Sequence, residues 1–153
     1  PNILFVGAVN GGVWRTDNAT ATSPSWLPLT DKQSSLSIGD LQFDTTDTTY
    51  NTLIAGIGRF SSKARDGGEL TGLLRTTDGG NTWTETTGNG LLLGKNITSA
   101  VERGNVIVVA VNGATPFSFS DIGIFRSIDD GATFSRVSGA SGSGGEQSGT
   151  SPP

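Results

Sequence analysis

Two short segments of the chain repeat one pattern of acidic, small, hydroxyl and aromatic residues. Residues 76–83 and 127–134 both follow Ser/Thr-x-Asp-x-Gly-x-Thr-Trp/Phe. A carboxylate at this spacing can accept backbone N–H bonds across a tight turn, in which Gly adopts the left-handed conformation. The pattern predicts a hydrogen-bonded turn, whereas a calcium or glycan contact is the alternative role. Its defining residues are Asp78, Gly80, Thr82, Trp83, Asp129, Gly131, Thr133 and Phe134.

Residue types that commonly carry catalysis are scarce. The chain contains no Cys and no His, which excludes thiolate chemistry, His-ligated metals and the usual general base. Glycoside hydrolysis requires two carboxylates that flank the scissile bond, and no convincing member of such a pair can be assigned. We therefore predict no catalytic residue, no metal site and no cofactor in this chain. A bound calcium ion is compatible with the two segments but is not indicated by them.

The composition favours an all-β protein. The 153 residues include 23 Gly, and only 16% of them are charged. No window shows the apolar stripe of an amphipathic helix. The net charge of −4 argues against nucleic acid as a partner, because nucleic acid calls for a basic face. No apolar run approaches the length of about 20 residues that a membrane-spanning helix needs.

An internal repeat organises the chain. Arg15, Arg75 and Arg126 each end a Gly–apolar–apolar–Arg sequence, and they lie 60 and 51 residues apart. This spacing is slightly longer than the roughly 40–50 residues of a four-stranded propeller blade. The apolar runs around each arginine predict four short strands per unit, A to D, at residues 2–30, 37–88 and 97–139, and the first unit begins at strand B. We name the two acidic segments box 2 and box 3 after their units. Residues 140–153 are predicted to form a flexible Gly/Ser/Pro linker or loop.

The boxes and residues 8–15 (AVNGGVWR) carry a family resemblance. The chain resembles Asp-box (BNR) repeat β-propellers, which include sialidases, sortilin-like receptors and xyloglucan-hydrolysing enzymes. It closely resembles the sortilin-like and glycosyl-hydrolase-like repeats of large exported bacterial surface proteins. The resemblance covers residues 1–139 and implies a β-propeller of four-stranded antiparallel blades, of which about two and three-quarters are present. It also implies a secreted or cell-surface location, but no particular ligand.

The resemblance departs from the enzymes of this group in two ways. Sialidases use an arginine cluster and a Tyr–Glu nucleophile pair, but Tyr50 is the only Tyr here and lies in a predicted turn. Xyloglucan-hydrolysing propellers carry one catalytic Asp in an Asp-x-Gly-Gly stretch, whose nearest match here is Asn10, and an amide cannot act as a base. In the first unit the box has also degenerated, and Trp26 alone is predicted to remain as its aromatic plug.

The predicted ligand-binding face is the end of the sheets that carries the B–C connections. The second and third of these connections are long, at residues 59–72 and 112–123, and insertions on one face of a repeat protein usually mark its binding side. Aromatic residues beside Arg and Asp in such loops could stack on a sugar or a peptide, or could anchor the loops to the blades. The candidate binding residues are Arg59, Phe60, Arg65, Asp66, Phe117, Phe119 and Asp121.

Three functional hypotheses follow. The first is a non-catalytic adhesion, scaffold or recognition module of a large secreted or cell-surface protein, which binds glycan or protein on the B–C face. The second is a segment of a sialidase-like or xyloglucanase-like glycoside hydrolase whose catalytic carboxylates lie outside this chain. The third is a small lectin-like oligomer. In the first two, further blades of the parent polypeptide or other chains complete the ring; in the third, other copies of this chain do so.

The propeller hypothesis also predicts which side chains are buried. Trp83 and Phe134 are expected to be buried plugs, and Phe117 and Phe119 to be at least partly exposed. The two end sheets would each expose an apolar face without a neighbour. Leu4, Val6, Ile107 and Val109 are the residues expected on those faces.

Overall fold

The structure is a computed structural model, and it describes residues 2–59, 66–112 and 122–138. Within these ranges the chain is all-β, with eleven strands and no helix. Accordingly, no helix in this part of the chain is of a kind that could cross a membrane. The strands are β1 (Leu4–Ala8), β2 (Gly12–Thr16), β3 (Leu27–Pro28), β4 (Ile38–Phe43), β5 (Leu53–Ile57), β6 (Leu73–Thr76), β7 (Thr84–Thr86), β8 (Asn96–Arg103), β9 (Val106–Asn112), β10 (Gly123–Ser127) and β11 (Ser135–Ser138).

The strands form three antiparallel sheets, each of which pairs its strands in chain order. Sheet 1 contains β1, β2 and β3, sheet 2 contains β4 to β7, and sheet 3 contains β8 to β11. The predicted fold class, all-β with four-stranded antiparallel sheets, is therefore confirmed. Sheet 1 has three strands in the described part of the chain, and its first strand, β1, corresponds to the second strand of sheets 2 and 3.

Two apolar cores hold the sheets together, one at each junction. The core between sheets 1 and 2 is built on Val13, Ile38, Ala55, Ile57, Leu70 and Leu74. The core between sheets 2 and 3 is built on Ile54, Leu73, Leu92, Ile97, Ala100, Ile107, Val109, Val111 and Phe125. Sheet 2 lies between both cores, so all five residues of β5 are buried. This position explains why β5 is a continuous apolar run rather than an alternating one.

Glycine lets neighbouring sheets approach closely at equivalent positions. Gly7 pairs with Val13 in sheet 1, and Gly56 pairs with Leu73 in sheet 2. A β-carbon at Gly56 would lie 2.7 Å from Cγ2 of Ile97 on the next sheet, which is far inside van der Waals contact. At Gly7 the side chain of Ile38 lies closer still. Each junction therefore packs an Ile of the following sheet directly onto a Gly of the preceding one.

The outer faces of the end sheets are apolar, but the sequence-based assignment of their residues was partly wrong. Leu4 and Val6 are exposed on sheet 1, as expected. Ile107 and Val109 are instead fully buried, because their side of β9 faces sheet 2. Successive side chains of a strand point to opposite faces of the sheet. The exposed face of sheet 3 is therefore formed by the alternate residues, among them Val101 and Ile124.

The connections between strands collect at two ends of the sheets. At one end, which we name the box end, the amide N of Gly79 in box 2 donates to the carbonyl O of Asn51 in the β4–β5 turn. At the other end, the loop end, the connections that precede β4 and β8 meet those that follow β1 and β5. There Gly12 N donates to the carbonyl O of Leu36. This separation agrees with a meander, in which alternate turns lie at opposite ends.

Trp83 and Phe134 are partly buried rather than fully buried. Trp83 packs against the core between sheets 1 and 2, and Phe134 packs against the core between sheets 2 and 3. Each follows its box on the way into the outermost strand of its sheet. Their partial exposure reflects this position at the rim of the cores.

Candidate functional site

Box 2 is a turn held together by the Asp78 carboxylate. Its Oδ1 accepts hydrogen bonds from the Thr76 hydroxyl at 2.7 Å and from the Thr82 amide at 2.9 Å, and its Oδ2 accepts one from the Thr82 hydroxyl at 2.7 Å. The Thr76 hydroxyl in turn accepts the amide N–H of Gly80. Gly80 has a φ of 87°, which L-residues with a side chain rarely adopt. The hydrogen bonds from Thr82, backbone first, lower the pKa of Asp78 to about 2.

Box 3 repeats this network with the same geometry. Asp129 Oδ1 accepts from the Ser127 hydroxyl at 2.7 Å and from the Thr133 amide at 2.9 Å, and Oδ2 accepts from the Thr133 hydroxyl at 2.6 Å. The Thr133 hydroxyl, with Ser127 next, lowers the pKa of Asp129 to about 2. Both oxygens of each carboxylate are thus engaged by the turn itself. No group of three or more acidic, His or Cys side chains is arranged to hold a metal in the described ranges.

Sheet 1 carries a third turn of this kind, which sequence reasoning missed. Asn18 takes the place of the Asp: its Oδ1 accepts from the Thr16 hydroxyl and from the amide of Ser25, both at 2.9 Å. Ser25 follows Asn18 by seven positions, whereas Thr82 follows Asp78 by four. We name residues 16–26 box 1. The order Thr-x-Asn followed later by Ser-Trp is the signal that could have revealed it, since Trp26 follows Ser25 as Trp83 follows Thr82. Trp26 is 42% exposed, however, so the prediction that it forms a buried plug is wrong.

Two matches to the N-glycosylation pattern involve asparagines that are already committed to the fold. Asn18 begins one match (Asn-Ala-Thr) and Asn96 begins the other (Asn-Ile-Thr). Asn96 is buried, and its Oδ1 accepts the backbone N–H of Arg59 at 2.7 Å. The Oδ1 atom of each amide is thus engaged within the fold.

The loop end brings together polar groups from sheets 1 and 2. The hydroxyl of Ser37 lies 3.3 Å from Oδ1 of Asn10 and donates to the backbone carbonyl of Asp66 at 3.1 Å. Leu36 N donates to the carbonyl of Gly67 at 2.6 Å. Asn10 and Asp66 both have exposed side chains. The β5–β6 connection is thus fastened over the turn between β1 and β2, and the exposed residues Asn10 and Asp66 both contact Ser37 there.

Two of the predicted binding residues can be placed in the structure. Arg59 is half-buried at the end of β5, where its backbone is fixed by Asn96. Asp66 is exposed in the loop-end cluster with Asn10 and Ser37. The other predicted binding residues lie outside the described ranges; they are Phe60, Arg65, Phe117, Phe119 and Asp121. Asn10 and Ser37 were not predicted as binding residues, because only the folding of the β5–β6 connection brings Asp66 to them.

An ion pair bridges sheets 2 and 3 near the box end. The Arg75 guanidinium reaches Oε1 of Glu102 at 2.6 Å and Oδ1 of Asp130 in box 3 at 3.4 Å. The Glu102 side chain is fully buried, and its Oε2 has no hydrogen-bond partner in the described part of the chain. Burial raises the pKa of Glu102, and the hydrogen bonds from Arg75 oppose that rise. The pair joins the sheets, and its acid is shielded from any ligand in solvent.

Comparison with known proteins finds relatives by structure only. No family model matches the chain, and no curated protein matches its sequence. Similar solved structures include an ancestral GH74 enzyme (18% identity, TM-score 0.60, 89% of this chain), the GH74 xyloglucanase from Xanthomonas campestris (15%, 0.62, 90%) and a GH74 enzyme from Niastella koreensis (20%, 0.57, 88%).

The fold is that of part of a β-propeller. The chain spans only 16%, 20% and 19% of the lengths of these three proteins. At such low identity the likeness describes the fold, and the chemistry has to be argued from the residues of this chain.

Proposed function

We propose that this chain forms neighbouring blades of a larger Asp-box propeller in a secreted or cell-surface protein, and that it recognises carbohydrate at its loop end without cleaving it. The proposal of carbohydrate recognition rests mainly on the cluster of Asn10, Ser37 and Asp66 at the loop end. An exposed amide and an exposed carboxylate stand there on backbone segments that two sheets hold in place. Polar groups fixed by a rigid scaffold are what hydrogen bonding to sugar hydroxyls requires.

The distribution of carboxylates supports binding rather than hydrolysis. Hydrolysis needs an acid and a second carboxylate on the two sides of the glycosidic bond. Asp78 and Asp129 are engaged by their own turns, and Glu102 is buried against Arg75. Asn10 carries an amide at the position that most resembles the acidic stretch of the hydrolytic propellers. Asp66, the carboxylate of the loop-end cluster, supplies at most one member of such a pair.

A second candidate function rests on the printed descriptions of the structural neighbours. They are GH74 enzymes, one of them a xyloglucanase. On this alternative the chain is a segment of a glycoside hydrolase, and the catalytic carboxylates belong to other blades. The loop end would then form part of the substrate cleft, and Asp66 would contact substrate beside the reacting sugar.

The two functions predict different outcomes in one experiment. The full natural polypeptide is titrated with xyloglucan oligosaccharides, and with sialyllactose to represent a sialidase substrate, while new reducing ends or free sialic acid are measured in parallel. Saturable heat with no product supports recognition without cleavage. Product release supports the hydrolase, and absence of binding to every glycan tested would refute both.

A further inference from the structure

The exposed fraction of one equivalent side chain in each sheet depends on whether another sheet packs over it. Register places Val13 of β2, Leu73 of β6 and Ile124 of β10 at equivalent points, since they pair with Gly7, Gly56 and Ala110 on the preceding strand. Val13 and Leu73 are 0% exposed because the next sheet covers them, whereas Ile124 is 41% exposed. The outer face of sheet 3 thus carries an apolar side chain where sheets 1 and 2 pack against their neighbours, but none of the described residues packs over it.

An arginine follows each of these three residues by two positions, and in sheets 1 and 2 it contacts the next sheet. Arg15 donates to the carbonyl of Gly79 in box 2 and packs over the ring of Phe5, which contacts Phe43 edge-on. Arg75 contacts Glu102 and box 3. Phe43 and Glu102 are equivalent, because Phe43 pairs with Leu53 and Glu102 pairs with Ile107. In both junctions the box turn of the receiving sheet contacts the arginine. The equivalent strand position of that sheet holds either Glu102, which pairs with Arg75, or Phe43, which packs on the Phe5 ring that Arg15 covers.

Arg126 is the third member of this arginine series, and it is exposed. The exposed apolar residues Val101 and Ile124 lie on the same side of sheet 3. In the two junctions that the structure contains, the corresponding arginine lies at the edge of an apolar contact. Apolar surface with a cation at its rim is typical of a protein interface rather than of a free surface.

The residue of sheet 3 that is equivalent to Gly7 and Gly56 is not a glycine, which restricts what can pack on the outer face of sheet 3. Gly7 and Gly56 each receive the Ile of the following sheet with no room for a β-carbon. The equivalent residue in sheet 3 is Ala110, which carries one. An Ile in the same place on a following sheet would overlap this methyl group, and close-packed interfaces do not absorb such overlaps without cost.

We infer that the outer face of sheet 3 is covered by a further sheet of this repeat. The first strand of that sheet places a residue smaller than Ile against Ala110, and it places a carboxylate or an aromatic ring beside Arg126, at the position that Glu102 and Phe43 occupy in sheets 3 and 2. This inference rests on the propeller part of the proposed function and is independent of carbohydrate binding. The solved structures of similar fold support this occupant, since this chain spans no more than 20% of their length.

Two other occupants fit the face less well. A second copy of this chain would offer the outer face of sheet 1, where the described residues include no strand beyond β1 and so no counterpart of Phe43 or Glu102. Residues 139–153 contain no aromatic and no branched aliphatic side chain with which to cover an apolar face. Neither occupant combines an apolar cover with a counterpart of Phe43 or Glu102.

Cysteine labelling tests whether the face is covered. These 153 residues contain no Cys, so Ile124→Cys introduces a single thiol into this part of the full natural polypeptide. Leu73→Cys at a covered position (0% exposed) and Tyr50→Cys at an exposed one (68%) are the controls. We expect the thiol at 124 to react with maleimide at least about tenfold more slowly than the thiol at 50, because a covered group reacts only when the structure opens locally. Reaction as fast as at position 50 overturns the inference.

A short bifunctional maleimide–photoreactive reagent on the same thiol then identifies the occupant. We expect the cross-linked peptide to come from another sheet of the repeat in the same chain, with the small residue and the acidic or aromatic residue at the stated positions. A peptide from residues 113–121 or 139–153 would overturn the inference. So would a mixed cross-link between ¹⁴N- and ¹⁵N-labelled molecules, which indicates a second copy, or a partner sheet with Ile against Ala110. Loss of carbohydrate binding would affect none of these readouts.

Discussion

Arg75 Nε donates to Oε1 of Glu102 at 2.7 Å, and this contact joins the third strand of one sheet to the first strand of the next. The acid is fully buried and the guanidinium is mostly so. Removing one partner of a buried ion pair leaves an uncompensated charge, whose cost exceeds the net contribution of the intact pair. We therefore expect loss of Arg75 alone to destabilise the protein more than loss of the charges of both residues.

Arg75→Ala should lower the free energy of unfolding by about 3 kcal/mol at pH 7, the usual cost of stranding a buried charge. Adding Glu102→Gln to that variant should restore part of the loss, since the stranded charge is removed. Urea denaturation of the four members of this mutant cycle measures both effects. Additive losses would show that the pair does not act as a unit.

Gly56→Ala should cost about 1–3 kcal/mol, because its β-carbon overlaps Cγ2 of Ile97 across the junction. Ile97→Ala alone should cost about 2–5 kcal/mol, as a fully buried side chain is truncated. In the Ile97→Ala background, Gly56→Ala should cost less than in the wild type. Equal costs in both backgrounds would mean that the close approach of the two sheets does not determine the effect.

Asn18→Ala should destabilise the protein by about 1–2 kcal/mol, because Thr16 and Ser25 lose their shared acceptor. Asn18→Asp keeps an oxygen at the same place and recreates the acid of boxes 2 and 3. It should therefore unfold at a temperature equal to or above that of the wild type. If Asn18→Asp destabilised the protein as much as Asn18→Ala, the assignment of box 1 would be contradicted.

Boxes 2 and 3 should make stability depend on pH in a defined acidic window. Asp78 and Asp129 have a pKa of about 2 in the folded chain, against an ordinary value of 3.8. Their contribution is complete above pH 3.8 and is lost as the pH falls through about 2, because the unfolded state binds the protons first. The melting temperature of Asp78→Asn/Asp129→Asn should therefore fall less than that of the wild type between these pH values. Parallel curves would refute the role of the two carboxylates.

The sequence was sufficient for the fold class and for boxes 2 and 3, because both are encoded locally. The continuous apolar run of β5 indicates burial on two faces, and the box spacing specifies its own turn. The face of β9 could not be assigned in this way. Its run is also continuous, so no alternation distinguishes Ile107 from Val108, and only the pairing with neighbouring strands determines which of them faces sheet 2.

The parts of the site that sequence reasoning missed depend on contacts between distant residues. Box 1 escaped detection because a longer turn and an Asn alter the pattern while the hydrogen bonds persist. The contact between Ser37 and Asp66 joins residues 29 positions apart, and it exists only once the β5–β6 connection folds back over sheet 1. Insertion length indicated the loop end as the binding side, but it did not reveal Asn10 or Ser37.

The most direct test of the account is the effect of loop-end substitutions on glycan affinity. Asp66→Asn and Asn10→Gly are compared with Asp17→Asn, a charge-matched change at the exposed box end, by calorimetric titration of the full natural polypeptide with the glycan that it binds. Gly is chosen at position 10 because the backbone there has a φ of 66°, which Gly adopts without strain. We expect the loop-end variants to bind about tenfold more weakly, the loss that follows removal of one hydrogen bond to the ligand, with unchanged melting temperatures. Asp17→Asn should bind like the wild type. Unchanged affinity in both loop-end variants, or a loss confined to Asp17→Asn, would contradict carbohydrate recognition at the loop end.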